Sequence, residues 1–136
     1  MLSPTAESIR LFLHVLAASV WVGGQFVVAG IVPGMRRTVP EGTKAVAQGF
    51  ARVAWPAYGI TVITGMWSLM SGEITDMEDA YQGTLLLKIG VAIAAGIFAA
   101  IHSAGKSKLS IAVGGALGLL CSVAALFLGI VLTTAS

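Results

Sequence analysis

The sequence predicts an all-α integral membrane protein built as a four-transmembrane-helix antiparallel bundle, and three observations carry that prediction. First, four nearly charge-free stretches, about 8–33, 50–71, 82–104 and 109–134, account for most of the chain. Each exceeds the roughly 20 apolar residues that a helix needs to cross the hydrocarbon layer. Second, 57% of residues are hydrophobic and 10% charged, against about a quarter charged in soluble domains. That balance leaves no room in 136 residues for a soluble domain, so the expectation is one transmembrane domain over 1–136. Third, the connections alternate in charge. Arg36, Arg37 and Lys44 occupy the first, with Arg52 at the next helix start; Lys106 and Lys108 occupy the third. The second holds Glu73, Asp76, Glu78 and Asp79 and no basic residue. By the positive-inside rule the first and third face the cytoplasm. Both termini and the acidic connection then face outward from the plasma membrane, or toward the periplasm where the membrane is an inner one.

Helix one is expected to be a retained span. Its apolar run is about 25 residues, against about 7–15 in the apolar core of a signal peptide, and Glu7 and Arg10 before it are not a basic cluster. His14, Ala18, Trp21 and Gln25 recur at spacings of four, three and four, which keeps them on one face. An imidazole, an indole and an amide on one stripe mark the face turned toward protein. Gly23 and Gly24 permit close approach beside it.

Helix two is expected to begin near Arg52 and Trp55, with Pro56 in its first turns, where proline is tolerated. Tyr58, Thr61, Gly65 and Ser68 form its stripe of polar and small residues, and Met66 and Met70 lie one turn apart near its outer end. Helix three carries Lys88, Ala92, Ala95, Ala99 and His102 on one continuous face. Small residues allow tight helix packing, and they equally leave space for a flat ligand. Helix four carries Gly114 and Gly118, a G-x-x-x-G packing pair. Its Cys121 is the one cysteine in the chain, which rules out an internal disulfide and reads as a small packing residue.

Ionisable residues inside a membrane span mark candidate functional sites. His14 and Lys88 each lie about six residues inside their expected spans, roughly 9 Å deep, and both spans enter from the outer side. Equal depth makes them candidates for one shared site. Each also has a structural reading: Lys88 can snorkel to the headgroups, and His14 can hydrogen-bond a neighbouring helix. His102, near the cytoplasmic end, reads as a contact with the basic connection there.

The run Leu13-His14-Val15-Leu16-Ala17-Ala18-Ser19-Val20-Trp21-Val22-Gly23-Gly24 resembles the first helix of the CopD copper-resistance membrane domain. Phe50-Ala51-Arg52 with Thr64-Gly65, and then Leu85-Leu86-Leu87-Lys88, are similar to later segments of that family, and the related HemJ-type protoporphyrinogen oxidases share the outline of a histidine in an early helix and a lysine in a later one. The resemblance implies a b-type haem held between helices one and three, with His14 and Lys88 as axial ligands and Trp21, Tyr58 and Arg52 as further cofactor-binding candidates. A lysine ligates iron only as the neutral amine, the form that removal from water favours. HemJ-type sequences continue past the tryptophan-glycine segment with an aromatic, Leu-Pro-Arg-like stretch. Here Gln25-Phe26-Val27-Val28 stands instead, so oxidase activity is not carried over.

Copper is the alternative cargo. Met66, Met70 and Met77 place three thioethers near the outer surface, and thioether with imidazole suits Cu(I). The carboxylates of the acidic connection would attract cations. The same methionines read equally as apolar filling. A third reading is an accessory subunit without a ligand, whose inner stripes serve only helix pairing. The bilayer is the partner common to all three; a redox partner or a porphyrin follows from the haem reading, and a homo-oligomer is compatible with each. The net charge of +2 comes from the connections and carries no implication of nucleic acid.

Overall fold

A computed structural model of the chain describes residues 1–72 and 76–134. Every regular element among them is helical: α1 (Ala6–Thr38), a 3-10 turn (Pro40–Gly42), α2 (Thr43–Ser71), α3 (Asp79–Ala104) and α4 (Lys108–Thr134). They form two compact units, Met1–Gly72 and Glu73–Ser136, each a helical hairpin.

In the first unit, α1 opens on a capping box. The Thr5 hydroxyl accepts from the Ser8 N–H at 3.1 Å, and the Ser8 hydroxyl accepts from the Thr5 N–H at 2.7 Å. Glu7 in the first turn and Arg36 and Arg37 in the last complement the helix dipole. The helix runs beyond the expected end at 33, with Pro33 inside it. The missing proline N–H removes one intrahelical bond without ending the helix, as membrane helices tolerate. The last turn is satisfied locally, by the Thr38 hydroxyl donating to Gly34 O at 2.9 Å and the Val39 N–H to Met35 O at 2.7 Å.

α2 starts seven residues ahead of the expected 50. The first connection therefore shrinks to Val39 and the 3-10 turn, and Arg36, Arg37, Lys44 and Arg52 stand on helical turns. Pro56 is in the middle of α2, not in its first turns. The reason is the added segment Thr43–Gly49, which carries no apolar periodicity strong enough to be read as helix but continues the α2 backbone. The two helices run antiparallel. Met35 reaches over Gly42, Phe50 packs against Gly24, Trp21 meets Trp55 and Tyr58, and His14 meets Thr64 and Gly65. Residue numbers fall along α1 as they rise along α2.

In the second unit, α3 begins three residues before the expected 82, with Glu78 as N-cap and Asp79 in the first turn, where acidic groups favour the helix start. Among the acidic residues, Asp76, Glu78 and Asp79 are exposed; Glu73 lies outside the described residues. Gly105 ends α3, and the Ser107 hydroxyl accepts from the Ser110 N–H at 3.1 Å as α4 begins. Gly114, Gly118 and Ser122 are the buried line of α4, and it faces α3. A Cβ at Gly114 would come within 2.7 Å of His102 N and 2.8 Å of Phe98 O. The helices thus cross backbone to backbone, as the G-x-x-x-G pair implies.

Three helices, α1, α3 and α4, are long and apolar enough to cross a membrane. α2, at 29 residues, is long enough but more polar, because Trp55, Pro56, Tyr58, Thr61, Thr64, Trp67 and Ser68 interrupt its aliphatic residues. The side-chain distribution is that of a lipid-facing surface. Buried apolar positions are small, chiefly Ala17, Ala54 and Ala57 with Trp21 and Val22 in the first unit and Ala95 in the second, whereas Phe12, Phe26, Ile63, Leu86 and Phe127 are exposed. Exposed large apolar side chains in such number on each unit are what a bilayer covers.

Candidate functional site

His14 sits on the seam between α1 and α2. Its Nδ1 is 2.8 Å from Thr64 Oγ1, and its ring lies over Gly65, where a Cβ would stand 3.8 Å from Cε1. The Thr64 hydroxyl has a single proton, which it donates to Ile60 O at 2.7 Å. With that proton on Ile60 O, the Thr64 oxygen accepts from His14, and the imidazole is the tautomer with its proton on Nδ1. In the neutral ring the lone pair is then on Nε2. A histidine whose Nδ1–H is held by a neighbour, with Nε2 turned to its ligand, is the usual arrangement of an imidazole bound to a metal. Thr64 is 3% exposed, so this hydrogen bond is shielded from water.

Two turns along α1, Trp21 forms the centre of a three-ring cluster. Its centroid is 5.4 Å from Trp55 and 4.7 Å from Tyr58, and Trp55 and Tyr58 are 5.9 Å apart at 81°. These are edge and tilted contacts, the favourable geometries for aromatic pairs. Of the stripes read from the sequence, His14 and Trp21 on α1 and Tyr58 and Gly65 on α2 meet across the seam. Trp55 and Thr64 complete them. Thr64 was visible only as half of a Thr-Gly pair, and its role depends on a partner fifty residues away. Arg52, the remaining cofactor candidate on α2, is exposed.

Lys88 belongs to the second unit and lies along α4. A Cβ at Gly129 would meet its Nζ at 3.1 Å and its Cε at 3.5 Å. The face of α3 that carries Lys88, Ala95, Ala99 and His102 is packed on α4, with Ala99 beside Gly118. His102 Nδ1 is 2.6 Å from Ile111 O. A carbonyl only accepts, so this ring too carries its proton on Nδ1. It ties the end of α3 to the first turn of α4, the structural role read for it.

The copper candidates are more open: Met66 is 56%, Met70 85% and Met77 44% exposed. Met77 lines a shallow cavity of about 270 Å³ with Glu78, Tyr81, Thr84, Val131 and Leu132. Among the described residues no cluster of three or more His, Cys, Asp or Glu side chains is placed to hold a metal ion. A haem does not require one, because the porphyrin supplies four nitrogens and the protein one or two axial ligands.

Comparison of the chain with protein-family models, curated proteins and solved structures finds no match.

Replacing Met66 and Met70 together with leucine keeps most of the apolar volume and removes both thioethers. If copper is the cargo, metal analysis of the purified double variant will show its loss with the helices intact. Unchanged copper stoichiometry would count against these ligands.

Proposed function

We propose that this chain is a four-span antiparallel bundle in the plasma membrane that holds a b-type haem through His14, in a redox or haem-related role. The observation that carries the reading is the His14–Thr64–Ile60 relay, which directs the imidazole lone pair to Nε2 on a shielded helix seam. The donor set fits a haem: one oriented imidazole, with Trp21, Trp55 and Tyr58 as planar apolar neighbours along the same seam. The resemblance implies Lys88 as a second residue that would hold the group. Haem, when bound, supplies one-electron chemistry at iron. The chain's own residues would orient the ligand nitrogen through Thr64, exclude water with the aromatic cluster, and anchor the whole in lipid.

The experiment that tests the reading is an absorption spectrum of the detergent-purified protein together with metal analysis. A Soret band supports haem. Copper without a Soret band favours the thioether reading, and neither leaves an accessory subunit without a ligand.

In this bundle α2 is the fourth crossing, with Trp55, Tyr58 and Thr64 turned to α1. Both termini lie outside, because Arg36, Arg37 and Lys44 cluster at one end of the first hairpin and Lys106 and Lys108 at the turn of the second. Single engineered cysteines near Glu41, Asp76 and Ser107, in a Cys121→Ser background, are expected to react with an impermeant thiol reagent in whole cells only at the Asp76 site. Labelling near Glu41 and not near Asp76 would reverse the orientation.

A further inference from the structure

The basic end of the first hairpin has no partner in the haem reading. Arg36 and Arg37 occupy the last turn of α1, and Lys44 the first turn of α2; all three are exposed. The turn that joins them is closed by hydrogen bonds: Val39 N–H to Met35 O at 2.7 Å, Gly42 N–H to Val39 O at 2.9 Å, and the Thr43 hydroxyl to Pro40 O at 2.8 Å. Met35 also packs over Gly42, where a Cβ would meet its methyl at 3.0 Å. The three cations are therefore presented on one short, ordered corner. Glu41 is the one acid in that corner, and among the described residues the only ion pair is Arg10–Glu7, near the other end of α1.

Depth makes this corner specific. α1 has 33 residues, or roughly 50 Å at 1.5 Å per residue, against a hydrocarbon layer of about 30 Å. With Pro33 at the edge of the hydrocarbon, Arg36 and Arg37 stand about 5 Å further along α1, at the level of the lipid phosphates. Guanidinium groups bind phosphate oxygens in pairs, and an ammonium adds a point charge.

We infer that Arg36, Arg37 and Lys44 form a binding site for the headgroup phosphate of an anionic phospholipid. The inference rests on the chain lying in a bilayer and is independent of the haem, since His14 is 22 residues away along α1. The corner is a lipid-facing clamp: the apolar flank of α1 covers the acyl chains while the three cations neutralise the phosphate.

Native mass spectrometry of the full-length protein, with equimolar dioleoylphosphatidylglycerol and dioleoylphosphatidylcholine, tests it. The wild type should carry mainly phosphatidylglycerol. Each basic side chain near a surface is worth about fivefold in anionic-lipid affinity, so R36Q/R37Q/K44Q should lower the glycerol-to-choline adduct ratio at least about tenfold. R36K/R37K/K44R keeps the charge and should retain the preference, and K106Q/K108Q, at the other basic turn, should lower it clearly less, because that turn offers two ammonium groups and no guanidinium. Circular dichroism of each variant confirms that the helices remain. A folded triple glutamine variant with the wild-type ratio overturns the inference, as does an equal loss in K106Q/K108Q. A lost lipid preference with an unaltered Soret band, where one is present, separates this site from the haem reading.

Discussion

His14→Ala is expected to abolish the haem Soret band of the purified protein, or to leave a weakly held haem that dialysis against detergent removes. The imidazole is the one nitrogen donor on the α1–α2 seam with its tautomer set by a shielded hydrogen bond, from Nδ1 to Thr64. Removing it deletes the ligand and opens space beside Gly65. Thr64→Val is the finer test. It keeps the volume and β-branching but removes the acceptor, so the ring loses its orientation; loss of such an outer-shell partner typically costs about 10–100-fold in metal affinity. The expected result is a haem that is bound more weakly and absorbs at a shifted wavelength. Lys88→Ala should keep haem on His14 with an altered spectrum, because an axial position opens. His102→Ala should change neither, since its ring serves the α3–α4 turn through Ile111 O. All four variants should reach the membrane. Wild-type spectra from both His14→Ala and Lys88→Ala would remove the proposed site. Loss of haem in His102→Ala alone would move it to the opposite end of α3.

Gly114→Leu is expected to disrupt the second hairpin. Even the first carbon of a side chain would stand 2.7 Å from His102 N and 2.8 Å from Phe98 O. Both are backbone atoms of a regular helix and cannot rotate aside, so α3 and α4 must separate. The penalty exceeds what ordinary overpacking costs, about 1–3 kcal/mol, because leucine adds three more carbons at the same point. Gly114→Ala is the graded version. Alanine gains about 1 kcal/mol in helix propensity over glycine, but the backbone clash outweighs it, so the melting temperature in detergent should fall. At Gly118 the nearest atom to an added Cβ is 3.4 Å away, and Gly118→Ala should cost far less. At Gly30 nothing lies within 4 Å, and Gly30→Ala should be neutral or stabilising. Thermal unfolding followed by circular dichroism gives the order directly. A Gly114→Ala protein as stable as Gly30→Ala would show that the helices do not cross at this glycine.

Four helices, the apolar character of three of them and the inner stripes were legible in the sequence, because each depends on residues close together in the chain. Hydrophobic run length, the 3.6-residue period and the polarity of the connections are local quantities. They placed His14, Trp21 and Gln25 on one face and Gly114 and Gly118 on another. They also placed Lys88, Ala99 and His102 on a face that the structure packs on α4. Local rules misplaced the ends for the same reason. The apolar stretch ended at about 33 and 43–49 fell in the connection, yet α1 continues through Pro33 to Thr38 and α2 starts at Thr43. Hydrogen bonding of the α1 terminus and packing of Met35 over Gly42 sustain both. What only the tertiary structure decided is which side chains meet across each hairpin. The proton on His14 Nδ1 depends on Thr64, and the Trp21 cluster depends on Trp55 and Tyr58. Those partnerships follow from the antiparallel register of α1 on α2, which is set by the sum of many close contacts along the seam and is encoded in no single stretch of the chain.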